Sequence, residues 1–115
     1  MKEIEKPNIK FYFYFNFSKN DKFYFDENNN EYLIKSFQEL IYCNLHGKVH
    51  KEDGPALICC DDKHNHYYLN NRLYFSRFSS GSKHFNGEDN FNDWCKITNH
   101  LICFSCENFC KQSCF

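Results

Sequence analysis

The chain has 115 residues and a mass of 14.0 kDa, which is enough for one hydrophobic core and too little for two. Its 14 Lys and Arg residues are balanced by 15 Asp and Glu residues, so the formal net charge is -1. This balance argues against a nucleic-acid partner, which attracts an excess of positive charge. The sequence shows neither a membrane span nor the apolar stretch of a secretory signal. We therefore expect one soluble, cytoplasmic domain, residues 1–115, without a membrane or nucleic-acid partner.

The composition is rich in aromatic residues. Phe, Tyr and Trp make up 20% of the chain, whereas Ala56 and Val49 are its only Ala and its only Val. Because Ala favours helices and aromatic residues favour strands, this composition predicts a β-rich fold. The abundant Phe, Tyr, Ile, Asn and Lys share codons rich in A and T, so we expect an AT-rich genome and a viral origin. A viral protein would be located in the host cytoplasm or in the virion.

The first 35 residues have the pattern of a β-meander. From Phe11 to Phe17 every odd position is Phe and every even position is Tyr or Asn, which predicts a strand with one apolar face. Polar turns at 18–22 and 26–30 separate further short strands at 23–25 and 32–34. The segment 36–42 fits either a helical turn or a strand.

An internal repeat occupies the middle of the chain. Leu45–His50 is matched 24 residues later by Leu69–Tyr74, and the segments between the copies predict two hairpins. Gly47 is expected to adopt a positive φ at a tight turn. The cluster Asp53–Pro55 is expected to end one element and orient the next, with Gly54 in a special backbone conformation.

This part of the chain resembles the MORN-variant repeat, written roughly as NGKLHREDGPA followed by WYxNG. The second copy departs from that pattern, with Asn71 in place of Gly and Tyr74 in place of His. The resemblance implies a series of short antiparallel β-hairpins of a kind common in giant viruses, bacteriophages and some bacteria, with no established reaction, cofactor or catalytic residue. The residues that carry it are Gly47, His50, Asp53, Gly54, Pro55, Ala56, Tyr68 and Asn70.

We therefore expect a non-enzymatic structural or interaction module whose partner is a protein, either a second copy or another viral or host protein. A hydrolase is the rival hypothesis, because His50 stands close to the carboxylates of Glu52 and Asp53. His64 and His66 would share one strand face and could offer two imidazoles to a metal. We expect structural roles for these residues instead, because no known catalytic motif accompanies them.

The cysteines leave three interpretations open. Five of the eight lie in the last 21 residues, and the final four have the spacing of a buried helical stripe. Zinc is the second interpretation and the only cofactor that the sequence suggests, and it gives an alternative function, a small zinc-binding protein that uses the C-terminal Cys cluster. Disulfide bonds are the third. A continuous helix and one zinc site exclude each other, because the outer ligands would lie about 16 Å apart. The candidate zinc ligands are Cys103, Cys106, Cys110, Cys114, Cys95 and His100.

A loop and a helix are predicted after the repeat. Ser, Gly and Asn enrichment predicts a loop over 79–90, between a β part at 9–78 and a Cys-rich tail at 91–115. Phe91, Trp94, Ile97 and Leu101 have helical spacing, so we expect a helix from near Asn92 with Trp94 on the sheet. The expected fold class is α+β and β-rich, with antiparallel hairpins or a meander and a short C-terminal helical Cys-rich segment.

Overall fold

The computed structural model describes residues 1–59, 64–78, 84–85, 88–98, 102–103 and 108–109. Eight strands form one antiparallel sheet in which each strand pairs with its neighbours in sequence. A helix follows, and two further strands pair with each other. The β-rich class with a meander and one short helix is therefore confirmed. The elements are β1 (Lys2–Ile4), β2 (Lys22–Asp26), β3 (Glu31–Lys35), β4 (Glu39–Asn44), β5 (Leu57–Cys59), β6 (His64–Leu69), β7 (Arg72–Phe78), β8 (His84–Phe85), α1 (Glu88–Thr98), β9 (Ile102–Cys103) and β10 (Asn108–Phe109).

An aspartate side chain and the backbone conformations of asparagine residues set two of the hairpin turns. Between β2 and β3, the Asp26 carboxylate accepts the backbone N–H of Asn28 at 2.9 Å, and Asn30 has φ 50°. Between β6 and β7, Asn70 and Asn71 have φ 49° and 68°. Asn tolerates this left-handed region, and two successive positive φ values match the twist of a two-residue hairpin. The left-handed backbone of these Asn residues therefore explains why the chain turns at these polar segments.

The sheet carries two hydrophobic cores on opposite faces. On the first face, the cross-strand register places Phe23, Ile34, Ile41 and Leu57 in one row across β2 to β5. This row belongs to the strap-side core, whose buried members are Phe23, Ile34, Ile41, Cys43, Val49 and Ala56. Side chains alternate along each strand, so Tyr67 of β6 lies on the opposite face from Leu57. There it joins the helix-side core, whose buried members are Tyr67, Leu69, Tyr74, Phe75, Phe91 and Trp94.

Residues 10–17, hereafter the strap, cover the strap-side core without joining the sheet. Their odd positions are half-buried Phe side chains packed against that core, whereas Tyr12 and Tyr14 are 53% and 93% exposed. The alternation predicted from the sequence is confirmed, but the prediction of a strand at 11–17 is wrong. The reason is that β1 pairs with β2 and occupies that edge of the sheet. The strap therefore crosses the face, with Phe17 near Phe23 at a ring-centroid distance of 5.8 Å.

Helix α1 packs against β7 through Phe91 and Trp94, which are 2% and 0% exposed. Its start at Glu88 precedes the predicted start near Asn92, and Ile97 is exposed, not buried. The helix ends at Thr98, whose Oγ1 donates a hydrogen bond to the carbonyl oxygen of Trp94 at 2.8 Å. Burial of two large aromatic side chains at helical spacing explains why this short segment is helical.

The predicted boundaries of the C-terminal part differ from the structure. The loop expected over 79–90 contains β8 and the first residues of α1. Cys103 lies in β9, so α1 does not extend into the expected helical stripe of cysteines. Cys106, Cys110 and Cys114 lie outside the described residues, and the three interpretations of the cysteine tail stay predictions.

The strap generates the first testable prediction. Phe15→Ala should lower the free energy of unfolding by about 1–3 kcal/mol, because the side chain is only half-buried against the core. Tyr14→Ala, one position away and almost fully exposed, should change it by less than about 0.5 kcal/mol. Chemical denaturation of both variants measures the difference. A larger loss for Tyr14→Ala would show that the two faces of the strap are assigned the wrong way round.

Candidate functional site

Hydrogen bonds join the turns of the two repeat copies. The backbone N–H of Val49 donates to Asn71 Oδ1 at 2.6 Å, and the backbone N–H of Asn71 donates to the carbonyl of Val49 at 2.9 Å. Beside them, the backbone N–H of Asn70 donates to His50 Nδ1 at 3.0 Å, and Asn44 Nδ2 donates to Asn70 Oδ1 at 2.7 Å. The end of the first copy therefore holds the turn of the second, and His50 and Asn70 have structural roles here.

The strap is fixed to both turns through the backbone of Tyr12. The N–H of Tyr12 donates to the carbonyl of Gly47 at 2.9 Å, and Asn71 Nδ2 donates to the carbonyl of Tyr12 at 2.8 Å. Gly47 and Asn71 occupy matching positions of the two copies and share a positive φ, 77° and 68°. A Cβ atom at Gly47 would overlap the carbonyl oxygen of Lys10. Gly47 is therefore required both for its own φ and for the close approach of the strap.

The other motif residues shape the entry to β5. Gly54 is buried but has no positive φ, and a Cβ there would lie at an ordinary 3.8 Å from Lys51 Cε. The expectation of a special backbone conformation at Gly54 is therefore wrong, and that requirement lies at Gly47. After Pro55, the fully buried Ala56 donates its N–H to His66 O at 2.9 Å and accepts the N–H of Tyr42 at 2.7 Å.

A cavity of about 400 Å³ lies beside His50 and includes Glu52 and Asp53 in its lining. The Nδ1 atom of His50 accepts the Asn70 N–H, so the ring proton lies on Nε2, which faces Glu52 Oε2 at 3.3 Å. Both ring nitrogens are thus engaged within the protein. The hydrolase candidates lie close together, yet this hydrogen bonding leaves His50 without a free nitrogen lone pair for general base catalysis.

Asp53, the third of the residues proposed for a hydrolase, belongs to a separate ion-pair cluster. The ammonium group of Lys51 lies 3.0 Å from Asp53, 2.9 Å from the buried Glu31, and 3.9 Å from the ring centroid of Tyr42. Burial lowers the pKa of Lys51, but the hydrogen bonds and charges of the two carboxylates raise it more, so the net shift is upward. Lys51 therefore stays charged and compensates the buried carboxylate of Glu31.

His64 and His66 lie on one face of β6, as their spacing predicted. The Nδ1 atom of His66 lies 2.7 Å from the hydroxyl of Ser76 on β7. Burial, and then the neighbouring His64, lower the pKa of His66, so the folded protein favours its neutral form. Within the described ranges, no group of three or more His, Cys, Asp or Glu side chains is placed to hold a metal ion.

The described cysteines have different environments. Cys43 is fully buried in the strap-side core, and burial raises the pKa of its thiol to about 12. Cys95 is half-buried on α1 beside the helix-side core. His100, Cys106, Cys110 and Cys114 lie outside the described residues, and only the backbone of Cys103 is described. Zinc binding by the tail therefore stays a prediction.

The structure also shows that Phe37 is exposed, which the sequence did not indicate, in addition to Tyr12 and Tyr14 on the exposed face of the strap. We define the aromatic ridge as Tyr12, Tyr14 and Phe37. Phe37 is 98% exposed at the turn between β3 and β4, where the backbone N–H of Ser36 donates to Glu39 O at 2.9 Å. A cleft of about 410 Å³ has both Tyr14 and Phe37 in its walls. The spacing of Phe37 from Leu40 fitted a helical turn, and periodicity alone gave no signal that Phe37 lies at the tip of a turn.

Comparison of the chain with protein-family models, curated proteins and solved structures finds no match. Among the described residues, no helix is long and apolar enough to cross a membrane.

Alanine substitutions at Gly47 and Gly54 are expected to have different effects on stability. Gly47→Ala should lower the free energy of unfolding by about 3 kcal/mol, because the new Cβ combines a strained φ with a clash against the strap. Gly54→Ala should be neutral or stabilising by up to about 1 kcal/mol, because its backbone accepts a side chain. Thermal and urea denaturation measure both. Equal losses in the two variants would contradict the assignment of the glycine requirement to Gly47.

The depressed pKa of His66 predicts a pH dependence of stability. Below about pH 6.5 the unfolded chain takes up a proton at this position more readily than the folded protein. Stability should therefore fall as the pH decreases through this range, until the folded form is protonated as well. Urea unfolding between pH 7.5 and about 5 should show a shallower decline for His66→Gln than for the parent protein. An unchanged pH profile in the variant would contradict the role of His66.

Proposed function

We propose that the protein is a non-enzymatic interaction module that binds a protein partner through the aromatic ridge. The observation that carries this proposal is the near-complete exposure of Tyr14 and Phe37, which both line one cleft. Isolated exposed apolar residues are common on protein surfaces, whereas two large exposed aromatic side chains at one cleft are a feature of interaction sites. Aromatic side chains of this kind are the groups that contribute most to binding at protein interfaces.

Hydrogen bonds hold the backbone beside two residues of the ridge, which favours binding without a large ordering cost. Next to Phe37, the Ser36 hydroxyl accepts the backbone N–H of Glu39 at 3.0 Å. The backbone of Tyr12 is fixed on both sides by Gly47 and Asn71. Backbone hydrogen bonds therefore hold the chain at Tyr12 and at the turn that carries Phe37.

We also propose that the joined turns are a short array of MORN-variant repeats. Two observations support this: Gly47 and Asn71 share a left-handed backbone at matching positions, and the first copy hydrogen-bonds to the second. In the second copy, Tyr74 replaces His50 and is buried in the helix-side core. A short array needs its last unit covered, and α1 supplies that cover. A viral origin stays part of this proposal.

Substitution of Phe37 tests the proposed function. Tagged protein is incubated with an extract of the organism that encodes it, and enriched proteins are quantified for the parent, Phe37→Ser and Leu73→Ser. Phe37→Ser should reduce the enrichment of the partner about ten-fold or more, because a central aromatic contact is lost. Leu73→Ser removes an exposed apolar side chain of β7, 48% exposed and outside the ridge, and should retain the partner.

A second copy of the chain is tested separately by sedimentation equilibrium. If the partner is the protein itself, the parent and Leu73→Ser should be dimeric and Phe37→Ser monomeric at the same concentration. The proposal is overturned if Phe37→Ser keeps every interaction of the parent protein. A monomeric parent that enriches no protein in either variant would overturn it as well.

A further inference from the structure

A cavity of about 260 Å³ lies between the strap and the strap-side face of the sheet. We call it the strap cavity. Its walls are mainly aromatic and aliphatic side chains, with one carboxylate among them. The residues that line it are Tyr12, Phe13, Tyr14, Phe15, Glu39, Ile41, Val49, Leu57, Tyr68 and Asn71.

Glu39 is the only charged residue in this lining, and it is half-buried. Within the described part of the chain, its carboxylate makes no side-chain hydrogen bond or ion pair, in contrast to Glu31, which pairs with Lys51. A half-buried carboxylate among apolar side chains is stabilised by a cation that enters the same space. The charge of the cavity therefore favours a positively charged ligand.

The aromatic walls favour the same kind of ligand. Phe and Tyr rings attract cations through their negative faces, and rings grouped around a carboxylate suit an organic ammonium ion. The other polar side chains of the cavity are either hydrogen-bonded within the protein or neutral, so Glu39 is the charged contact for a ligand. The side-chain amide of Asn71 already bonds to Val49 and Tyr12, and burial, then Cys59, raise the pKa of Tyr68, which keeps its hydroxyl neutral.

Intramolecular contacts show that rings of this protein hold cations. The Lys10 ammonium lies 4.9 Å from the ring centroid of Tyr12, and the Lys6 ammonium lies 4.3 Å from that of Phe17. Tyr12 is also one of the residues that line the strap cavity.

The size of the cavity limits the ligand. Sites for drug-sized ligands span about 300–1,000 Å³, so a cavity of about 260 Å³ suits a single head group. We propose that the strap cavity binds an alkylammonium group, which is either a lysine side chain of a protein partner, methylated or not, or a free small amine such as choline. In its lysine form this inference rests on the proposed function, since it names the chemical group that the module recognises on its partner.

Titration with free ammonium ions tests the proposal. Amide chemical shifts of the folded chain are followed by NMR on addition of tetramethylammonium or n-butylammonium chloride, with sodium chloride as the ionic-strength control. Saturable shifts are expected around Phe13, Ile41 and Tyr68. Glu39→Gln should weaken binding about five-fold or more, because the charged contact is lost. Glu27→Gln, an exposed turn carboxylate outside the cavity, should leave the affinity unchanged.

A second pair of variants controls for effects on folding. Tyr14 is almost fully exposed, so its substitution leaves the core intact. Tyr14→Leu should weaken ammonium binding, whereas Tyr14→Phe should retain it, because the aromatic face and not the hydroxyl contacts the cation. Absence of saturable shifts with both ions overturns the proposal. Shifts that are unaffected by both Glu39→Gln and Tyr14→Leu overturn it as well.

A peptide carrying trimethyl-lysine distinguishes the two sources of the ammonium group. Binding of this peptide at the cavity about ten-fold tighter than tetramethylammonium, and loss of binding with norleucine in its place, assign the site to a protein lysine. Equal affinities assign it to a free amine. Phe37 does not line the cavity. Loss of partner binding in Phe37→Ser, together with absent ammonium binding, therefore overturns this inference and leaves the proposed function intact.

Discussion

The fixed position of the strap depends on the backbone of one residue, Tyr12. Its N–H and carbonyl bond to Gly47 and Asn71, the matching turn residues of the two repeat copies. This arrangement requires a glycine at position 47, since any Cβ would meet the backbone of Lys10. The same contacts place the odd Phe residues on the sheet and the even Tyr residues in solvent. The strap-side core, the strap cavity and part of the aromatic ridge all follow from it.

The two cores bury apolar side chains on both faces of the open sheet. A meander of this kind has two faces, and each apolar face must be covered. The chain covers the first face with its own N-terminal strap and part of the second face with α1. On the second face, the rings of Tyr67 and Phe75 stack at a centroid distance of 4.1 Å. The covering segments come from opposite ends of the described chain. The hairpins between them are therefore held in place from both sides of the sheet.

Two polar side chains near the repeat, Glu31 and His50, are paired within the protein. Glu31 is 5% exposed and is paired with Lys51, and His50 is held between Asn70 and Glu52. Glu39 differs, because it lies half-buried at an apolar cavity without an ion-pair partner in the described part of the chain. This difference distinguishes a charge that stabilises the fold from one that is available to a ligand. It is the reason that we propose a ligand site at the strap and not in the His50 cavity.

The sequence by itself determined which side chains share a face. Backbone geometry sets the local period of side chains along a strand or a helix. The sequence shows such periods in the alternation of Phe and Tyr at 11–17 and in the spacing of Phe91 and Trp94, and it shows the hairpins through their turn residues. The β-rich class and the short helix could therefore be predicted. The sequence also indicated that Gly47 needs a positive φ, and φ 77° agrees.

Only the tertiary structure decided what each face contacts. Pairing of β1 with β2 excluded the strap from the sheet, and this pairing joins residues that are far apart in sequence. Three further features likewise depend on how distant segments are packed. They are the contact of Gly47 with Lys10, the exposure of Phe37, and the position of Glu39 in one cavity with four strap residues. A local period carries no information about such long-range contacts, because it is the same whether an apolar face meets a strand, a strap or a partner.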